Sequence, residues 1–309
     1  MIRYGLRRLA QALATVAAGS LLVWALLAAS PGDPARQLLQ AQGVTQPHPA
    51  EIAQVRSELG LDRPAPVQYA AWTAGAVRGD LGRSWRTGEP VSRLLRERAG
   101  PTLRLTLLAV LLGGLAALPL AVLGALGAGR WPDALSRATI FGAASAPTFV
   151  IGLLVLELVV VRWGIGRVVA DGGWSAALLP ALPLAVAIAA EWARVIRSGL
   201  DDALAAGYSQ VATARGVSTV RLVVAYGLPA AARPWLAVLG MTVGGLLAGA
   251  AVVETLFTWP GIGRELIHAI AARDVPVVQG IIAVGVIGFA AAAALADLAA
   301  AAIDPRLRS

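Results

Sequence analysis

Residues 193–234 read ARVIRSGLDDALAAGYSQVATARGVSTVRLVVAYGLPAAARP, the longest polar interruption in the second half of an otherwise apolar chain. Leu204, Tyr208, Val211 and Arg215 fall at helical spacing, which predicts one helix over residues 201–215. Gly216 supplies its C-terminal stop, and Ser218 is an N-cap for a second helix over residues 219–227. Pro229 biases Leu228 away from the helical region and is expected to close that second helix. The stretch 194–234 thus reads as a helix–turn–helix. Its arginines, Arg194, Arg197, Arg215, Arg221 and Arg233, place it on the cytoplasmic side of a membrane.

The membrane follows from composition. Of 309 residues 57% are hydrophobic and 14% charged, and mean hydropathy is +0.70. Working outward, apolar runs predict spans at residues 9–29, 103–126, 138–161 (interrupted by Pro147), 176–196 (carrying Pro180 and Pro183), 238–253 and 280–303. Six spans put both termini on the inner side, and the fold class is an all-α polytopic membrane protein. The first run is expected to be an uncleaved span, because a signal peptide has a shorter apolar core. Arginines test the orientation. The inner segments carry 12 and the short outer ones 4. The polar stretch 31–100 also holds many arginines, but it exceeds the length over which that rule applies, and seven acidic residues offset them. Within it, residues 91–98 form an amphipathic segment expected to lie at the interface, with Val91, Leu94 and Leu95 inward. The chain therefore divides into residues 1–30 (N-terminus and first span), 31–100 (long external loop) and 101–309 (five-helix core).

Several functions are excluded. All 26 basic residues are Arg. A Walker A loop needs a Lys to reach nucleotide phosphates, so this chain carries no such ATPase. The absence of Cys excludes disulfides, iron–sulfur clusters and thiol catalysis. A net charge of +8 fits a basic membrane protein, and no nucleic-acid partner is expected. His48 and His268 stand alone, without a second ligand at metal spacing.

The spacing of Ala212, Gly216 and Leu228-Pro229, a Gly thirteen residues before the Pro, resembles the EAA loop of ABC importer permeases. Gln210-Val211-Ala212 stands where Glu-Ala-Ala would, a departure common in the peptide/nickel branch. Tyr208, Ala212, Ala214, Arg215 and Gly216 match that branch without a gap. So do four other stretches, in order. They are an Arg-Arg-Leu entry with Pro31-Gly32-Asp33-Pro34-Ala35, then Gly79-Asp80-Leu81-Gly82-Arg83-Ser84, then Trp259-Pro260-Gly261-Ile262-Gly263-Arg264-Glu265-Leu266 with Ala272 to Gly280, and finally Asp304-Pro305-Arg306-Leu307-Arg308. The chain is identified as resembling the first permease subunit of dipeptide, oligopeptide and nickel ABC importers over nearly its full length. The resemblance implies a type I importer permease fold and a homologous second permease. It also implies two ATPase subunits that bind the ATP and Mg, and an external solute-binding protein. This chain itself would hold no cofactor. The central loop would be the ATPase-coupling element, using Tyr208, Ala212, Ala214, Arg215, Gly216, Leu228 and Pro229. The implied location is a bacterial or archaeal cytoplasmic membrane. Peptides are the commonest cargo of this family, with nickel and glutathione among the others.

Charges in apolar spans are costly and face a partner or a water-filled cavity. Glu157, Glu191, Glu254 and Asp297 are such charges. Glu254, with Trp259, Gly261 and Gly263, is the candidate pathway or outer gate. It either contacts the amine of a passing peptide or pairs with an Arg such as Arg264. Trp72, Trp85, Trp131, Trp163, Trp174 and Trp259 are expected at the membrane interface. An ion-driven secondary transporter would need paired mid-membrane acids or repeats, and an intramembrane hydrolase would need Gly-x-Ser-x-Gly or His-Glu-x-x-His. The chain carries neither hydrolase motif.

Overall fold

The computed structural model describes residues 2–29, 32–167 and 169–303. The closing motif from Asp304 onward, and Pro31 of the first one, lie outside the described residues. The described residues form helices and loops, with a single isolated bridge between Arg83 and Pro90.

Helix α1, Ile2–Ala28, is followed by three short helices, α2 (Pro34–Ala41), α3 (Pro49–Glu58) and α4 (Ala65–Val77). The first two begin at a proline, whose missing N–H costs nothing in a first turn. Asp33 caps α2 by accepting from the Ala35 amide at 3.0 Å. Arg56 of α3 ties back to Asp33 at 3.1 Å and to Asp62 at 3.3 Å.

Helix α5, Val91–Leu126, runs for 36 residues. At 1.5 Å per residue it is about 54 Å long, well beyond a hydrocarbon core of roughly 30 Å. Residues 91–98, expected to be a separate interfacial helix, are its first two turns. Val91, Leu94 and Leu95 are buried as expected, in an outer cluster with Ile262, Val277, Val278 and Ile281. The helix continues through Pro101 without a break.

Next come α6 (Trp131–Ser145) and α7 (Thr148–Val155), which continues as a π-helical turn, Leu156–Arg162. They are bent by 96° at the break before Thr148. The third expected span is therefore a broken one: Ala146 and Pro147 are extended, as proline chemistry favours. Helix α8 is Trp174–Ala205, α9 is Gly207–Ala214 and α10 is Thr219–Leu222. A π-helical turn, Val223–Gly227, joins α10 to α11 (Leu228–Gly249). Helices α12 (Ala251–Leu256), α13 (Ile262–Ala271) and α14 (Val275–Ile303) complete the order.

The core forms where α5 lies along α8, with α11 packed on both α8 and α14, and α1 on α14. Leu105, Ala109, Ala117 and Ala121 of α5 meet Ala177, Ala181, Ile188 and Trp192 of α8. Small residues permit the approach. A Cβ on Gly113 would overlap Ile188, and one on Gly199 would lie 2.7 Å from the Ala231 Cα. The Trp192 indole donates to Thr242 at 3.1 Å and meets Trp235 edge-on at 5.5 Å. Four helical stretches are long and apolar enough to cross a membrane: Val91–Leu126, Trp174–Ala205, Thr219–Leu247 and Val275–Ala302. The bent pair makes a fifth if it is one span, and α1 adds the shorter apolar stretch Ala10–Leu26.

Candidate functional site

The polar stretch at residues 194–234 folds as two helices around one turn, but with different limits from those read in the sequence. Residues 201–215 are not one helix. Helix α8 runs on through Ala205, the chain is extended at Ala206 (ψ 147°), and α9 starts at Gly207. The Ser209 hydroxyl, buried, donates to the Ala203 carbonyl at 2.7 Å and holds the break. At the other end of α9 the Gly216 amide donates to Thr213 and the Val217 amide to Ala212. Those two bonds make a Schellman motif, whose fifth position must be left-handed, and Gly216 has φ +83°. The four-residue step from Ala212 to Gly216 is thereby a helix-stop geometry.

Ser218 caps α10 through the Arg221 amide, as expected. Pro229 does not close that helix. Leu228 is helical (φ −60°, ψ −44°), and Thr219–Leu247 is one continuous span. The π-helical turn just before Pro229 shifts the hydrogen-bond register, so that the missing N–H falls in the first turn of α11, where it is tolerated.

Leu222 and Val223 are buried under this unit, while Tyr208, Val211, Val220, Val224 and Tyr226 are exposed. The Tyr208 and Tyr226 rings lie 6.3 Å apart. Ala212 and Leu228 are half-buried, and Ala214, Arg215 and Pro229 are exposed. An ionic brace stands behind it. Arg197 of α8, nearly buried, reaches Asp133 at 3.1 Å and Asp201 at 2.9 Å, and Asp133 also holds Arg137 and the Gly129 amide. The pairs Asp133/Arg137 and Arg197/Asp201 are visible in sequence at i,i+4. The cross-link between them is not.

At the opposite end, Glu254 is fully buried. Its Oε1 accepts from the Thr102 hydroxyl at 3.0 Å and its Oε2 from the Arg264 amide at 2.8 Å; the Gly263 amide also donates to it. Thr102 in turn accepts from the Ile262 amide at 2.8 Å. Glu254 and Thr102 together cap α13 from two other helices, where free amides favour an anion. The expected Glu254–Arg264 pairing is thus with the Arg264 backbone, while the Arg264 guanidinium donates to the Thr258 carbonyl at 2.8 Å. Gly261 and Gly263 are required by approach: a Cβ on Gly261 would overlap the Glu254 carboxylate, and one on Gly263 would lie 2.7 Å from the Ala251 Cα. Trp259 is wholly buried beside Phe257 in the main core, a correction to its expected interfacial place. Trp131, Trp163 and Trp174 are exposed, as an interface would have them.

Asp274, which the sequence reading passed over, forms a second clasp. Its buried carboxylate accepts from the Ser84 hydroxyl, the Trp85 amide (3.0 Å) and the Arg86 amide (3.4 Å). Two of the motif stretches, 190 positions apart, thereby become one unit. Asp274→Ala is expected to release that loop. Amide exchange at Trp85 and Arg86 should accelerate by tenfold or more, since two N–H groups lose a charged acceptor worth about 1.5–3 kcal/mol. Unchanged exchange would mean that something else holds the loop.

Long apolar helices, a polar helix pair at one end and a buried polar cap at the other define an all-helical, multi-pass membrane protein. Residues 109–309 match the family described as binding-protein-dependent transport system inner membrane component, and residues 1–106 match its N-terminal family. The chain belongs to this family: it is a permease subunit of an ABC importer, of the dipeptide/oligopeptide type, and ATP hydrolysis resides in other subunits. The glutathione transport system permease protein GsiC of Escherichia coli is 34% identical over 308 residues, covering 100% of this chain and 99% of the relative. GsiC of Salmonella paratyphi A and of Salmonella typhimurium match to the same extent. A solved amino acid ABC transporter with histidines aligns with a TM-score of 0.48 at 19% identity, covering 70% of this chain and 92% of that one.

Proposed function

We propose that this chain is the first of two homologous permease subunits that together enclose the path of a peptide-like solute. An external solute-binding protein delivers the solute, and two ATPase subunits, holding the ATP and Mg, drive the cycle. The membrane is a bacterial or archaeal cytoplasmic membrane. Six spans cross it, with both termini cytoplasmic, and the division into residues 1–30, 31–100 and 101–309 follows from that. The observation that carries the coupling role is the α9–Gly216–α10 unit. It presents an exposed apolar stripe, from Tyr208 to Tyr226, on a buried and ionically braced base. A short rigid helix pair with an apolar outer face suits a lever that receives a push from an ATPase groove and passes it to α8 and α11. Such a push rotates helix bundles about their interface and alternates the open side.

Glu254, Trp259, Gly261 and Gly263 stay near the outer mouth in this reading, as the packed frame of a gate; Glu254 is too enclosed to meet a solute in this conformation. Glu157 and Glu191 are exposed on apolar helices. That supports a second subunit or an aqueous path beside them, because lipid would make the charges costly. Glutathione is the favoured solute class, on the relatives' named activity.

Single cysteines at Thr45 and Ser218, in this Cys-free chain, test the orientation. They are expected to label from opposite sides of the membrane, Thr45 from outside. Labelling of both from outside would refute the arrangement. Vesicles of the reconstituted complex should take up glutathione or short peptides only with ATP and the binding protein; ATP-independent uptake driven by an ion gradient would overturn the importer reading.

A further inference from the structure

The outer end carries a pocket whose charges do not balance. About 170 Å³ in volume, it lies between the loop after Ser84, the first turns of α5 and α13, and is lined by Arg86, Arg98, Gly261, Arg264, Glu265 and His268. Three guanidinium groups and an imidazole meet one carboxylate. Arg98 reaches Glu265 only at 3.6 Å, and Arg264 is turned to the Thr258 carbonyl. The two buried carboxylates of this end are committed: Glu254 to Thr102 and two backbone amides, Asp274 to Ser84 and two others. Among the described residues nothing neutralises the Arg86 guanidinium, and both Arg86 and His268 are exposed.

We infer that this pocket receives an Asp or Glu side chain projecting from the external solute-binding protein. This rests on the proposed orientation, in which this end faces outward. The volume suits a carboxylate with its methylene groups, and is below the roughly 300–1,000 Å³ that whole small-molecule ligands occupy. A guanidinium offers a carboxylate two parallel hydrogen bonds, so an arginine pair selects that group by shape as well as charge. The receiving loop is already ordered. The Arg86 amide is held by Asp274, and the Gly261 turn is held against Glu254. Little conformational freedom is therefore left to lose on docking. A cationic pocket on the outer end also accelerates encounter with an acidic surface, an effect that salt weakens.

The test measures association of the binding protein with the complete complex in nanodiscs, from low to high NaCl. Arg86→Glu is expected to slow association about tenfold at low salt and to flatten its salt dependence, with a smaller effect at high salt. Arg86→Lys should keep most of the rate. Arg78→Glu, an equal change of charge on α4's end and outside the pocket, should leave it near wild type. One Asp or Glu of the binding protein, changed to Arg, should restore association to the Arg86→Glu complex. Equal rates for Arg86→Glu and Arg78→Glu, with wild-type docking intact, overturn the pocket and leave the permease reading standing. Loss of binding to anionic phospholipid vesicles without any change in docking also overturns it, since the pocket would then hold a lipid phosphate. If the wild-type complex binds no such protein, both readings fall together.

Discussion

Gly216→Val is expected to leave the apolar helices inserted while transport falls by tenfold or more and the ATPase subunits dissociate or turn over without transport. Gly216 sits at φ +83°, closing the Schellman turn between α9 and α10, and a Cβ there would meet nothing within 4 Å. The cost is therefore in the backbone: on the order of 1–2 kcal/mol for an L-residue in a left-handed conformation, and more for a β-branched one. That is too small to unfold the bundle. It is enough to shift the turn and misdirect the exposed stripe of Tyr208, Val211, Val220, Val224 and Tyr226. Ala212→Asp should act in the same direction by placing a charge on the proposed docking face, where burial without a partner is strongly unfavourable. Thr219→Ala, on the same unit, should be mild. Co-purification of the ATPases and substrate-stimulated ATP hydrolysis in reconstituted membranes provide the measurement. Normal ATPase binding together with normal transport in Gly216→Val would remove this unit from the coupling path.

Glu254→Ala is expected to lower the amount of intact complex severely. It strands three donors, the Thr102 hydroxyl and the Gly263 and Arg264 amides, in a site closed to water. Each orphaned buried donor costs about 1–3 kcal/mol, so several kcal/mol are at stake in a protein whose whole margin is of that order. Glu254→Gln should be intermediate, because its amide nitrogen cannot accept from a backbone N–H. Gly261→Ala should resemble Glu254→Ala, since its methyl group displaces the same carboxylate. The readouts are yield of assembled complex and its thermal unfolding. Full assembly with transport lost would return Glu254 to the solute path, the other role read from the sequence.

Two physical signals made most of the fold legible. Apolar runs longer than a bilayer is thick announce themselves without any tertiary information, and so do turn residues with a single backbone use. Gly216 at the end of α9 and Ser218 at the start of α10 are of the second kind, and both stand where the spacing put them. Proline was less legible, because its effect depends on the register around it. Pro147 breaks a span into two helices bent by 96°, whereas Pro101 and Pro229 pass through helices whose neighbours or π-turns absorb the missing donor. The partner of Glu254 was also hidden. An acid beside an arginine ten positions on suggests an ion pair, and only the start of α13 reveals that the arginine's amide does the binding.

By itself the sequence determined that this chain lies in a membrane as a set of helices and that it carries no Walker A ATPase of its own. It also determined that its polar centre is a helix–turn–helix. These follow from local quantities: run length, the absence of Lys, and the φ that Gly216 permits. The tertiary structure decided where the long-range polar bonds close. It alone brings Asp274 to the Ser84 loop, Arg197 to Asp133, and Thr102 with Glu254 to the start of α13. Such pairings join residues tens to hundreds of positions apart, and their energy depends on burial and on donor geometry, which no local spacing encodes.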